Sequence, residues 1–331
     1  GFHEEHYNEA THAARVARHL KTDHTELYVT SKEARDVIPL LPTMYDEPFA
    51  DSSQIPTFLV SKLARKHVTV SLSGDAGDEL FCGYTRYLLT QRLWRNVRYI
   101  PLSLRKALAK AITSASPSPT CNKLVKVAQA LASEHVDQLY TGLISQWQHP
   151  SELVIGGTEP PALLAGKTPS LSRLSVIEEI MGIDLLTYLP DDILVKVDRA
   201  AMSVSLESRI PFLDHRVVEF AWSLPLSLKL RDGQSKWILK QILYRYVPKE
   251  LMERPKMGFG IPIDEWLRTE LREWAEGLLD ETALKQQGYL NPVLVHQKWK
   301  EHLSGSRNWQ HQLWAVLMFQ SWLQTSHRGL T

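Results

Sequence analysis

Three acids, Asp75, Asp78 and Glu79, stand in a Gly-rich turn at the end of an apolar, β-branched run, "VTVSLSGDAGDELFCGY" over Val68 to Tyr84. Gly74 and Gly77 can take the tight backbone angles of a strand-to-helix turn, and the amides near Glu79 open a helix, which makes a modest anion site. A phosphate cradle wants bare amides or Lys there, not carboxylates. Two carboxylates ~6 Å apart repel by roughly 3 kcal/mol at an effective dielectric of 20. A divalent metal carrying a polyphosphate reverses that sign, because Mg²⁺ takes one or two carboxylates together with phosphate oxygens. The plainer alternative makes Asp75 a turn former, Asp78 an N-cap and Glu79 a first-turn acid favoured by the helix dipole.

Two further stretches carry charge in settings that call for a partner. In "LPDDILVKVDRAAMSVSLESRIPFLDH", Leu189 to His215, a helix enters through Pro190 and Asp191, and Lys196 and Arg199 lie three apart on one face. Glu207, Arg209 and Asp214 follow in an apolar context where unpaired charge is costly. In "RPKMGFGIP", Arg254 to Pro262, Lys256 sits beside two glycines in a segment able to close over a site and neutralise a leaving phosphate.

The elements that position these groups follow from periodicity. "EATHAARVARHL" is an amphipathic helix, "HTELYVT" alternates as a strand, "SKEARDVI" and "TFLVSKLARK" are helical, and "VTVSLSG" is a second strand. Strands and helices alternating at this spacing predict an α/β fold with a doubly wound parallel sheet, whose ligands sit at the carboxyl ends of strands, where Gly74 to Glu79 fall. Beyond Arg92 long amphipathic runs such as "LSVIEEIMGIDLLTYL" predict a mostly helical region. The expected division is therefore residues 1–92, part of an α/β nucleotide-binding core, and 93–331, a helical region that completes the site.

Lys plus Arg (38) nearly cancel Asp plus Glu (37), so no nucleic-acid or anionic-membrane partner is announced. No apolar run reaches the ~18 residues of a membrane span. The two cysteines, Cys82 and Cys121, form no CxxC pair, so neither a disulfide framework nor a thiolate zinc site is indicated and a reducing cytoplasm is the default. "HEEH" at His3 to His6 lacks metalloprotease spacing and reads as a surface turn. Cys82 is expected as a buried packing residue with a raised thiol pKa, the acidic loop beside it contributing to the rise, and "NWQHQLWAVLMFQSWLQ" as a core or interface helix.

Taken in order, "YDEPFADSSQIPTFLVSKLAR", "VSLSGDAGDELFCGYTRY", the 189–221 stretch and "PKMGFGIPIDEWL" resemble the synthetase part of glutamine-hydrolysing asparagine synthetases. The resemblance implies an adenine nucleotide α-hydrolase-like parallel sheet, incomplete at its N-terminal end. It also implies ATP and Mg²⁺ as cofactors, aspartate and glutamine-derived ammonia as substrates, and a β-aspartyl-AMP intermediate. Ser73 and Gly74 then match backbone that meets the nucleotide, and Asp78 the acid that reaches pyrophosphate through Mg²⁺. Asp75 matches the group proposed to take ammonia's proton, Lys196 or Arg199 a base on pyrophosphate, and Lys256 the lysine on the transferring phosphoryl group.

The chain departs from that pattern at three points. An SGG-x-D-S phosphate loop is absent, as are the N-terminal Cys nucleophile and its glutaminase domain, and Ala76 stands where Gly is common. A Cβ at that position is strained if φ is positive. The expectations are that the chain is truncated at its N-terminus, that by itself it binds ATP poorly and makes no asparagine, and that homodimer formation is compatible with the sequence. Two alternatives stand beside this reading: an amide ligase of the same fold acting on another carboxylate (β-lactam-forming, peptide-cyclising or polysaccharide-amidating), and a non-catalytic truncated remnant.

Overall fold

The strand that launches the acidic loop is short. In a computed structural model describing residues 10–115, 122–159, 174–253 and 260–328, β1 covers Val70–Leu72. It pairs in parallel with β2, Glu207–Arg209, in the register Val70 to Glu207, Ser71 to Ser208 and Leu72 to Arg209. The ladder runs one residue further at each end, with Glu207 N–H donating to Thr69 O and Ser73 N–H to Arg209 O, both 2.9 Å. Ser73 is thus fixed by the sheet before the chain turns.

The strand expected over "HTELYVT" does not form: residues 23–28 have no regular structure, and Val29 makes only a bridge while burying its side chain. Alternation there serves a loop packed on the core, where Val29 joins the cluster with Leu27 against it. Conversely, β2 lies in the region where strand signal was expected to vanish. Its three residues, Glu-Ser-Arg, have no β-branched content, so only tertiary pairing makes them a strand. The parallel sheet is real but small, and the described chain is otherwise mostly helical.

Helices form where periodicity places them. Ala10–Leu20 buries Ala10 and Ala17; Ser31–Arg35 starts at a capping box between Thr30 and Glu33; Gln54–Ala64 buries Ile55 and Phe58. Val176–Leu186 has its own capping box, Ser175 with Glu178. One core cluster joins Val29, Ile38, Leu41, Ile55 and Phe58 to Trp266, Leu267, Trp299, Trp314 and Leu317, so the C-terminal helices buttress the residues before β1. Another gathers Ala76, Leu80 and Phe81 with Leu189 and Ala221, which seats the acidic loop on the 189–221 stretch. No described helix is long and apolar enough to cross a membrane.

Candidate active site

After Ser73 the chain turns through Gly74 and Asp75, with Ser73 Oγ donating to Asp75 Oδ2 at 2.7 Å. The helix that follows, Gly77–Leu80, is capped by Ala76 without any side-chain hydrogen bond, so Asp78 is a first-turn residue and not the N-cap. Ala76 adopts φ +66°, ψ −10°, a left-handed conformation, while its methyl is buried. The strain foreseen for a Cβ at this position is therefore present in the fold.

Asp78 meets a cation that the sequence reading did not single out: Lys236 Nζ lies 3.0 Å from Asp78 Oδ2. Lys236 is delivered by a hairpin of β3, Leu230–Arg231, and β4, Gln234–Ser235, whose turn residues Asp232 (φ +50°) and Gly233 (φ +77°) are both left-handed. An Asp-Gly pair is the residue choice such a turn requires, so the hairpin was legible in "RDGQSKW". What lay hidden was its destination, fixed by Lys236 N–H donating to Phe81 O at 3.1 Å. Gly83 leaves space for the pair: a Cβ there would lie 1.9 Å from Asp78 Oδ1 and 2.3 Å from Lys236 Cε.

Glu79 turns inward instead. It is buried, accepts a hydrogen bond from Tyr84 Oη at 2.7 Å, and burial lifts its carboxyl above the ordinary range against that bond. Cys82 is buried as expected, and its thiol is pushed up to about 11; burial is the cause, with Lys229 opposing it, and the acidic loop does not enter.

The second constellation faces a different partner. Lys196 Nζ pairs with Asp51 Oδ2 at 2.7 Å and Arg199 with Asp46 at 2.6 Å, so both cations turn to the loop at 45–53 and are engaged there, not at the acidic loop. Burial would raise Asp51, but Lys196 and the hydrogen bonds from Ser53 outweigh it and hold the carboxyl low. Asp192 is the opposite case, raised to about 6 by burial and by the charge of Asp51, with Lys196 opposing. The turn that carries it, Leu189–Leu194, is wound as a π-helix before the α-helix Val195–Met202 begins. Such widened turns are rare and occur often at functional sites.

Glu207, Arg209 and Asp214 need no buried partner. Arg209 pairs with Glu207 along exposed β2, and Asp214 caps the helix His215–Ser223 while pairing with Arg216. Of the apolar residues around them only Leu206 is buried, a distinction that composition does not carry. Beside them, at the strand ends, an open cleft of about 660 Å³ is lined by Leu72, Leu194, Val197, Arg209, Ile210 and Pro211. Lys256, like "HEEH", lies outside the described residues.

The acidic loop suits Mg²⁺ in kind: Asp78 offers a hard oxygen in a space that a Cβ at Gly83 would fill, with Asp75 three residues before it. Among the described residues no group of three or more His, Cys, Asp or Glu could hold a metal unaided. A cation there needs oxygens from a ligand, as a magnesium-polyphosphate complex provides.

Comparison with known proteins finds similarity along nearly the whole chain. The family model for asparagine synthase matches residues 1–324. A Mycobacterium tuberculosis protein named putative glutamine-hydrolysing asparagine synthetase is 34% identical over 328 residues, covering 97% of this chain and 49% of that protein. Glutamine-hydrolysing asparagine synthetase 1 of Bacillus subtilis is 28% identical over 334 residues, covering 97% of the chain and 51% of its own length. The chain spans about half the length of these relatives and aligns to them almost from end to end. It belongs to the asparagine synthase family.

Proposed function

We propose that this chain is the ATP-dependent synthetase part of a glutamine-hydrolysing asparagine synthetase, built on an adenine nucleotide α-hydrolase-like core and working in the cytoplasm. A side-chain carboxylate oxygen of aspartate attacks the α-phosphorus of ATP and pyrophosphate leaves, giving β-aspartyl-AMP; ammonia from a glutaminase domain then displaces AMP. Displacement at phosphorus needs positioning and charge neutralisation more than covalent help. Mg²⁺ would neutralise charge on the leaving pyrophosphate, with Asp78 as its protein ligand. Lys236 adds a cation beside it. Ser73 and Gly74 present backbone to the nucleotide, Lys196 or Arg199, once released from Asp51 or Asp46, serves pyrophosphate, and Lys256 serves the transferring phosphoryl group. Asp75, half-buried at the mouth of the loop, takes the proton from attacking ammonia.

One observation carries the reading: an acidic loop at the carboxyl end of a parallel strand, with Asp78 met by Lys236 in a space that Gly83 keeps open. The test is AMP, pyrophosphate and asparagine formation by the native full-length protein supplied with ATP, aspartate and ammonium. Asp75→Asn should keep pyrophosphate release within about tenfold while asparagine falls by about 10²–10⁴-fold, the usual worth of a general base. Wild-type asparagine yield from that variant, or turnover only with other carboxylates, would defeat the assignment. The 331 residues alone, which contain no SGG-x-D-S motif, are expected to make no asparagine.

A further inference from the structure

Arg86 is a direct ion-pair partner of neither constellation, yet its guanidinium lies between them. It sits 3.9 Å over the ring of Tyr84 and 4.5 Å over that of Tyr188, and the two rings meet edge-on at 6.0 Å. Tyr84 donates to Glu79 in the acidic loop at 2.7 Å. Tyr188 immediately precedes the π-turn, and its hydroxyl favours the charged form of Asp192, which also feels Asp51 and Lys196. One side chain of the helix Thr85–Val97 thus contacts the aromatic residue that serves each half of the site.

The guanidinium is itself fixed from behind. Its Nη2 donates to Asp184 Oδ2 at 2.7 Å and its Nε to Tyr140 Oη at 2.7 Å. Asp184 is fully buried and also accepts from Tyr87 Oη at 2.7 Å and Tyr140 Oη at 2.6 Å. A carboxylate saturated in this way cannot swing, and the fork it holds presents flat faces to two phenol rings. Lys has neither the fork nor the face. A fully buried acid with three partners is a costly device for stability alone, since apolar packing of similar volume serves as well or better.

We propose that Arg86, locked by Asp184, is a positioning residue that sets the spacing between the acidic loop and the π-turn bearing Asp192. The activity arm of its test rests on the function proposed above; the exchange arm does not. In the native full-length protein, amide hydrogen exchange would be followed over 77–84 and 187–194 for wild type, Arg86→Met, Arg86→Lys and Tyr84→Phe. Arg86→Met should speed exchange at least tenfold in both segments, Tyr84→Phe in the first alone, and Arg86→Lys should not rescue the pair. Should Arg86→Met fail to fold, Arg86→Lys carries the same two-segment expectation. Faster exchange in one segment only, equal loosening of the buried helix Val176–Leu186, or full rescue by Lys would overturn the proposal.

For pyrophosphate release, Arg86→Lys should lower kcat about 100-fold, the effect of a misplacement near 1 Å, and move KM for ATP less than about threefold. A loss confined to KM would also overturn it. If wild type releases no pyrophosphate, the synthetase reading falls and the exchange data still decide the role of Arg86.

Discussion

Ala76 holds a left-handed conformation that costs an L-residue about 1–2 kcal/mol, and Gly is free of that cost. Against the gain, Ala76→Gly forfeits a buried methyl worth about 0.8 kcal/mol and loosens the unfolded chain by about 0.4–1 kcal/mol. The balance predicts a change within about 1 kcal/mol of zero. Ala200→Gly, at a fully buried position of the helix Val195–Met202, combines the methyl loss with the helix penalty and should cost about 2 kcal/mol. Denaturant unfolding of both variants measures the difference, and equal costs would mean that Ala76 is not left-handed. The departure from Gly was visible in "SGDAGDE"; the sign of φ was not, because a Cβ is tolerated in most turns and only the backbone path decides.

At the scale of elements, the π-turn Leu189–Leu194 keeps a carboxylate where it is unfavourable. Asp192 has a folded pKa near 6 against an ordinary 3.8, so the folded state binds its proton more tightly than the unfolded chain does. Stability from this group is therefore greatest below about pH 4, declines as pH rises, and reaches its full deficit above about pH 6. Asp192→Asn should stabilise the protein at pH 7 by up to about 3 kcal/mol, the value of a two-unit shift, and the advantage should vanish near pH 4. Urea unfolding of wild type and variant at the two pH values checks it; an advantage independent of pH would point to packing instead of charge. The helix around Asp192 could be read from "LPDDILVKVDR", and the shared face of Lys196 and Arg199 from their spacing. That this face meets Asp51 and Asp46 could not, since those acids are more than 140 residues away in the chain.

Over the whole molecule, residues before β1 depend on residues near the C-terminus. Trp314 is 1% exposed in the cluster that joins Ile55 and Phe58 to the helices Ile263–Arg268, Pro292–Leu303 and Gln310–Arg328. Trp314→Ala should destabilise the fold by about 3–5 kcal/mol and expose the 54–64 helix to proteolysis together with the C-terminal helices. Cleavage confined to the C-terminus would mean that the two regions are not one cooperative unit. The sequence by itself determined the strand that ends at Leu72, the turn carrying Asp75 and Asp78, several helices, and the family, because each rests on local periodicity, turn chemistry or residue order. Only the tertiary structure decided that Glu207–Arg209 is a strand, that Lys236 completes the acidic loop, and that Lys196 answers to Asp51. Those contacts join segments over 130 residues apart, and their energy comes from pairing and burial, which no local stretch of chain contains.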